Sequence, residues 1–501
     1  MRKATQKLLA AYIDSLVPIL YIHHADFAAV DDVLRKEARY AKFFEFDNAL
    51  GELSFKDKHP MQSPERRYSL SQFLNSKLDA GFDDEVFIVL KNVHGYLNDP
   101  DVIALLVRIA GRVIERDDYR AKVVIISSKV VIPAELENFI TVIDVPLPDD
   151  EEISGMVDGF AAEERLRLAP EARDALIFSL KGLSAFQIRQ VLSLAYQTNG
   201  KLDASDRSFV LSEKEQIIKK SGTLEMLNFR ENIDDIGGLE NLKAWLIRKE
   251  RIFNTLDKAI KFGVDIPRGI LILGMPGCGK SLAAKAAAAL FKVPLIRLDI
   301  GRLMGKYVGE SEGNMRRALN LAETVSPCVL WIDELEKAFA GIGGEGGEVS
   351  TRMFGIFLTW MQEKQSTVFI VATANDISKL PPEFLRKGRF DELFFVDLPN
   401  EDERRKILEI HLKKRKKWND NINLKKIASA TVGFNGADLE GIVKDAVENA
   451  FIDGTNLITT ESLVKARNAA KSITDIQGDK ITDLRDSLKK YNIQPASVQI
   501  E

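Results

Sequence analysis

Short, unbroken apolar runs alternate along this chain with stretches in which hydrophobic residues return every three or four positions. Residues 1–16 predict a helix with Leu8, Leu9, Tyr12 and Leu16 on one face. A strand is expected at 18–24 and a helix at 28–39. Apolar runs at 86–90, 123–128 and 142–146 predict three more strands, because each is short and rich in Val and Ile. From 151 to 198 the pattern is wholly helical. Strands alternating with helices predict an α/β fold on a parallel sheet, here followed by a helical subdomain. Residues 199–227 are polar and charged and read as a linker with some helix.

The same order returns about 250 residues later. Runs at 269–273, 329–332, 368–372 and 394–399 answer those at 18–24, 86–90, 123–126 and 143–148. Gly433, Phe434, Asn435 and Gly436 in the closing helical stretch stand against Gly182 to Ile188 in the first half. So long a period marks two copies of one domain, since solenoid repeats are far shorter. The expected boundaries are 1–198 for the first copy, 199–227 for a linker, 228–400 for the second α/β core, 401–475 for its helical lid and 476–501 for a C-terminal helix and tail. Ile481, Leu484, Leu488 and Tyr491 would line one face of that last helix.

Chemistry concentrates in the second copy. After the run at 269–273 comes Gly274-Met275-Pro276-Gly277-Cys278-Gly279-Lys280-Ser281, a full phosphate-loop pattern, and then an alanine-rich helix beginning at Leu282. Glycines let the main chain wrap phosphates with its N–H groups inward, and the helix start adds a positive dipole. Lys280 would reach the β- and γ-phosphates and Ser281 would place its hydroxyl on Mg2+. Some 50 residues on, an apolar strand ends in Asp333 and Glu334. Asp333 suits the metal side of such a site and Glu334 a general base for water. Asn375, ending the next strand, would lie between the phosphate loop and this acidic pair and orient that water.

The first copy lacks these parts. Val30 falls where Lys280 stands, residues 25–29 hold no glycine, and Lys91-Asn92 replace Asp333-Glu334. Lys129 takes the place of Asn375, and no arginine follows it before Pro146. This copy is expected not to hydrolyse nucleotide; Lys91 and Lys129 read as solvated lysines, with anion binding as the other reading.

Composition adds exclusions. With 45% hydrophobic and 29% charged residues at net charge −4, there is no bulk electrostatic case for nucleic acid or anionic membrane. The basic run 413–417 reads as a solvated helix face. No apolar stretch reaches the length of a membrane span, and Asp14 breaks the N-terminal one that would otherwise pass for a signal peptide. Two cysteines, Cys278 and Cys328, give neither a disulfide framework nor metal-ligand spacing, so a reducing interior is expected.

Taken together, the phosphate loop, Asp333-Glu334, Asn375 and the segment Leu385-Arg386-Lys387-Gly388-Arg389-Phe390-Asp391 resemble the AAA family of ring-forming ATPases over roughly residues 234–450. The resemblance implies ATP and Mg2+ as cofactors, with Pro276, Gly277, Cys278, Gly279, Lys280, Ser281 and Leu282 around the phosphates. It implies that Asp235, Gly237, His411, Gly436 and Ala437 surround the adenine and ribose. It makes Arg386 and Arg389 arginine fingers reaching a neighbour's γ-phosphate, and Lys306, Tyr307 and Val308 a pore loop gripping protein substrate, with a second, glycine-rich pore loop at 341–348. It further implies a homo-oligomeric ring, a hexamer, in the cytoplasm (or the plastid stroma for a plastid-encoded chain). The two-copy arrangement, the segment 375–383 and Pro495-Ala496-Ser497 are similar to the AAA proteins known as hypothetical chloroplast reading-frame proteins. The chain departs from better-known members in lacking Asn-Arg-Pro at the sensor asparagine. A second reading stays open, in which ATP only sets the oligomeric state of a scaffold.

Overall fold

A computed structural model describes residues 3–498 except 16, 25, 64, 66, 79–81, 116–118, 146, 204–205, 305–309, 340–347, 387, 456, 476–477, 479–480, 483–484 and 486–492. The chain divides into two compact units: Met1–Arg165 with Ser184–Gln190, and Leu166–Leu183 with Val191–Glu501.

In the first unit, β1 (Ile19–His23), β2 (Lys42–Asp47), β3 (Gly51–Ser54), β4 (Phe82–Lys91), β5 (Tyr119–Ser127) and β6 (Ile140–Asp144) lie in the order β3-β2-β4-β5-β1-β6. Every pairing is parallel except the β2–β3 hairpin. Residues 19–22 and 86–90 are buried throughout, as unbroken apolar runs must be when helices cover both faces of a parallel sheet. The first helix, Lys3–Ile13, buries Leu9 and Ile13 and leaves Leu8 exposed. Its inward face is thus centred on an i, i+4 pair and not on the expected Leu8 edge.

The second unit holds β7 (Leu224–Leu227), β8 (Gly269–Gly274), β9 (Leu295–Leu298), β10 (Cys328–Ile332), β11 (Val368–Ala374), β12 (Glu392–Val396) and β13 (Gln494–Pro495), in the order β13-β12-β8-β11-β10-β9-β7. Without the edge strands β3, β7 and β13, the two sheets share one order: β6-β1-β5-β4-β2 and β12-β8-β11-β10-β9. The paired apolar runs of the sequence occupy matching places in them. Residues 199–227 are more than a linker, for they form the helix Arg207–Ser221 and β7, which pairs antiparallel with β9. The reason is apolar: Ile218 and Leu224 are buried in the core under the sheet.

Four helices, Glu401–Lys414, Leu424–Ala430, Gly436–Ile452 and Thr460–Ala469, form the lid around their own core of Leu408, Ile427, Ile442 and Leu463. Most of the C-terminal helix expected after 476 lies outside the described residues, though Ile481 is buried. Beyond it the tail adds β13 to β12, and the buried Ala496 donates its N–H to Phe395 O at 2.8 Å.

Lys91 corrects an expectation. It is buried, not solvated, and its ammonium lies 2.7 Å from Asp31 and 2.9 Å from Glu45. Lys58 also contacts both carboxylates. Burial works against the Lys91 charge, but the two carboxylates prevail and hold its pKa above the usual lysine value. Lys129 is exposed as expected.

Candidate functional site

The site is built where β8 stops. Gly274 ends the strand with φ +147°, and a Cβ there would stand 2.0 Å from Val396 O of the neighbouring β12. Only glycine fits so close an approach. The loop then turns into the helix Lys280–Phe291, whose N-terminus is capped by no side chain and carries no acid in its first turn. Uncapped N–H groups with the positive end of the helix dipole behind them suit an anion.

Lys280 is buried at 7% exposure, and its ammonium donates to Gly274 O (2.8 Å), Met275 O (2.7 Å) and Asn375 Oδ1 (2.7 Å). Burial brings its pKa down to about 8, against the attraction of Glu336, Asp333 and Glu334. The neighbouring Cys278 thiol is pushed up to about 12 by burial and stays protonated at neutral pH.

At the end of β10, Glu334 occupies the left-handed region with φ +51° and ψ +55°. Its carboxylate accepts from Lys337 at 2.7 Å and, at the long distance of 3.5 Å, from Asn375 Nδ2. Asn375 therefore spans the lysine and the acid, as its place between the strand ends predicts.

The lid closes the other side. Asn435 caps the helix Gly436–Ile452 and donates from Nδ2 to Pro276 O at 3.1 Å, while Ala437 N–H donates to Gly277 O at 3.0 Å. Gly277, at φ +74°, has no room for a Cβ against Asn435. His411 lies 3.7 Å from Glu440, and its pKa is lowered, first by burial and then by Arg415, against the Glu440 charge.

These parts enclose a cavity of about 380 Å³ lined by Asp235, Gly237, Pro276, Gly277, Cys278, Gly279, Lys280, Ser281, Leu282, Asp333, Glu334, Asn375, His411, Gly436 and Ala437. Every expected nucleotide-side residue thus borders one space, of a size that suits a small-molecule ligand. Ile236, which lies within the segment 234–238 that the resemblance places at the adenine, also lines it, and Ile407, Ile410 and Glu440, which were not foreseen, complete the lining. The three isoleucines put apolar surface on the cavity wall. The sequence signal for Ile407 and Ile410 is an i, i+3 apolar pair on the first lid helix.

Arg386 and Arg389 do not border this cavity. Arg386 is exposed, whereas Arg389 is buried at 9% exposure, with Nε and Nη1 lacking a partner among the described residues. Two arginines expected to act as a pair therefore point differently in the single chain. Lys306, Tyr307, Val308 and nearly all of the second glycine-rich loop lie outside the described residues.

Comparison with known proteins agrees with the geometry. A family model described as ATPase family associated with various cellular activities (AAA) matches residues 270–398, and one for the AAA+ lid domain matches 421–465. SpoVK-like AAA ATPase models match the first half, the N-terminal domain at 5–145 and the second domain at 151–221. The AAA domain-containing protein ycf46 of Pyropia yezoensis is 39% identical over 74% of this chain and 75% of its own, and that of Trieres chinensis 34% identical over 96% of both. The cell division control protein 48 homolog C of Arabidopsis thaliana is 35% identical over 48% of this chain and 29% of its own. Similarity that runs through both units and the lid leaves one assignment: the chain belongs to the AAA family of ATPases, alongside the plastid ycf46 proteins.

Proposed function

We propose that the protein hydrolyses ATP to ADP and phosphate within a hexameric ring of its own copies and uses the cycle to remodel protein chains gripped by Tyr307. One observation carries the reading: Lys280, Ser281, Asp333, Glu334 and Asn375 converge on one cavity of a single chain, while Arg386 stands exposed outside it. Such a cavity binds and positions a triphosphate yet lacks the guanidinium that would stabilise charge developing on the γ-phosphate. An exposed Arg386 supplies that charge to a neighbouring copy. Hydrolysis then depends on assembly.

Within the chain, Lys280 leaves its carbonyl partners for the phosphate oxygens, and Glu334 takes the proton of the attacking water that Asn375 orients. Ser281 and Asp333 offer hydroxyl and carboxylate oxygens, the hard donors that suit Mg2+. When bound, that ion would neutralise charge on the phosphate oxygens. The first unit is proposed as a copy that has lost this chemistry. Its strand order supports the common origin, and Lys91, standing at the register position of Asp333, supports the loss.

Mixing tests the ring. Arg386→Ala and Lys280→Ala chains, each inactive alone, should regain part of the wild-type ATPase rate when co-assembled. Co-assembly with no restored activity would rule out an arginine acting across subunits.

A pH profile tests Lys280. Because burial lowers its pKa to about 8 while bound phosphate stabilises the ammonium, MgATP binding takes up a proton above that pH. The Kd should be level from pH 6.5 to 7.5 and rise by up to about tenfold per unit above pH 8. Calorimetry in buffers of different ionisation enthalpy reads the proton directly. A Kd constant to pH 9.5 would mean that Lys280 either keeps its charge in the free site to that pH or does not reach the phosphate.

A further inference from the structure

β10 and β11 run in parallel register with Ile332 opposite Ala372, so the next residues along, Asp333 and Thr373, are neighbours just past the paired strand. Thr373 is buried at 1% exposure. Its hydroxyl donates to Asp333 Oδ1 and accepts the main-chain N–H of Glu334 at 3.2 Å. A return bond crosses in the other direction. Glu336, also buried, accepts the N–H of Asn375 through Oε1 at 3.1 Å. The two strand tips are thus laced together by one side chain from each.

The first unit shows what this lacing replaces. Asn92 follows β4 as Glu334 follows β10, and it too has a positive φ, +55°. There the corresponding N–H donates to the main-chain carbonyl of Ile126, at 3.1 Å. By register, Ile126 answers Thr373. Where no base is present, a backbone carbonyl takes the N–H of the left-handed residue. In the second unit, a hydroxyl holds it and at the same time grips the carboxylate of Asp333.

From this we infer that Thr373 is a positioning residue for hydrolysis, setting the direction of the Glu334 side chain by fixing its left-handed backbone and locking Asp333 to the same point. The inference rests on the ATPase reading above. A left-handed conformation is unfavourable for a glutamate, so it persists only while its N–H and its neighbour are held. Thr373 touches neither nucleotide nor water in this role. It acts through Asp333 and Glu334, and Glu336 supports it by fixing the main chain of Asn375.

The test uses the full-length protein with two substitutions. Thr373→Val keeps the β-branched shape and removes the hydroxyl; Thr373→Ser keeps the hydroxyl. For Thr373→Val, kcat should fall by about 10- to 100-fold with KM and nucleotide Kd within about threefold of wild type, as expected when only alignment is lost. Thr373→Ser should recover kcat to within about threefold of wild type. Turnover of Thr373→Val within twofold of wild type would overturn the inference, as would equal impairment of both variants, which would point to packing. A loss of affinity matching the loss of kcat would also overturn it. A second readout does not need catalysis: the Glu334 amide should exchange with solvent about tenfold faster in Thr373→Val and at the native rate in Thr373→Ser. Unchanged exchange in Thr373→Val refutes the positioning role. A wild-type protein inactive with MgATP at every concentration instead refutes the ATPase reading, and the exchange result still decides about Thr373.

Discussion

A Glu334→Gln protein is expected to bind ATP with near-native affinity and to hydrolyse it about 10²- to 10⁴-fold more slowly, the range that a positioned general base contributes. The substitution keeps the side chain's volume and its ability to accept from Lys337 and Asn375. What it removes is the capacity to take a proton. Binding should survive because the phosphate-side elements, Lys280 and the uncapped helix Lys280–Phe291, are untouched. Single-turnover measurement of ATP cleavage, with bound nucleotide followed by filter retention, separates the two effects. Hydrolysis within fivefold of wild type would mean that Glu334 is not the base, and a parallel collapse of binding would mean that it is a structural residue.

The second large effect concerns the first unit. Replacing Lys91 by Met leaves the buried carboxylates of Asp31 and Glu45 with Lys58 as their remaining cation among the described residues. Breaking a buried, hydrogen-bonded ion cluster by removing one partner costs about 3–5 kcal/mol, a large part of the roughly 5–15 kcal/mol that holds a typical domain. Lys58 is partly exposed and has one charge to share between two acids, so it offsets little of the loss. Urea unfolding followed by amide exchange along β4 should therefore show a sharply lower midpoint for Lys91→Met. A midpoint unchanged from wild type would show that the cluster is held by solvent and not by Lys91. The placement explains why a lysine is used here. By sequence alignment of the two units Asp31 answers Ser281, and by strand register Lys91 answers Asp333. An internal ammonium therefore sits where the other unit has the hydroxyl and carboxylate proposed above to hold Mg2+.

The parts of the site that were legible in the sequence are those whose chemistry is contiguous. The loop from Gly274 to Ser281 carries strand, turn and helix in one stretch, and Asp333 with Glu334 ends an apolar run that can only be a buried strand. Thr373 and Glu336 were not legible, because their roles come from register between strands some 40 residues apart. The spacing of Arg386 and Arg389 likewise says nothing about which one turns inward. For Lys91, a charged residue ending a strand ordinarily meets water, and only Asp31 and Glu45, brought in by separate elements, make burial tolerable. β7 was hidden by the polar residues around it, since a short edge strand needs few apolar positions to dock.

The two bonds from the lid to the carbonyls of Pro276 and Gly277 give the molecule a lever. They fasten the near end of the helix Gly436–Ile452 to the loop, and its 17 residues extend about 25 Å from that pivot at 1.5 Å per residue. A tilt of about 5° at the loop would sweep the far end through roughly 2 Å over that length. The far end carries Phe451 and Ile452, 85% and 78% exposed. A shift too small to notice at the phosphates would thus be read out as displacement of two large apolar side chains at the opposite pole of the lid.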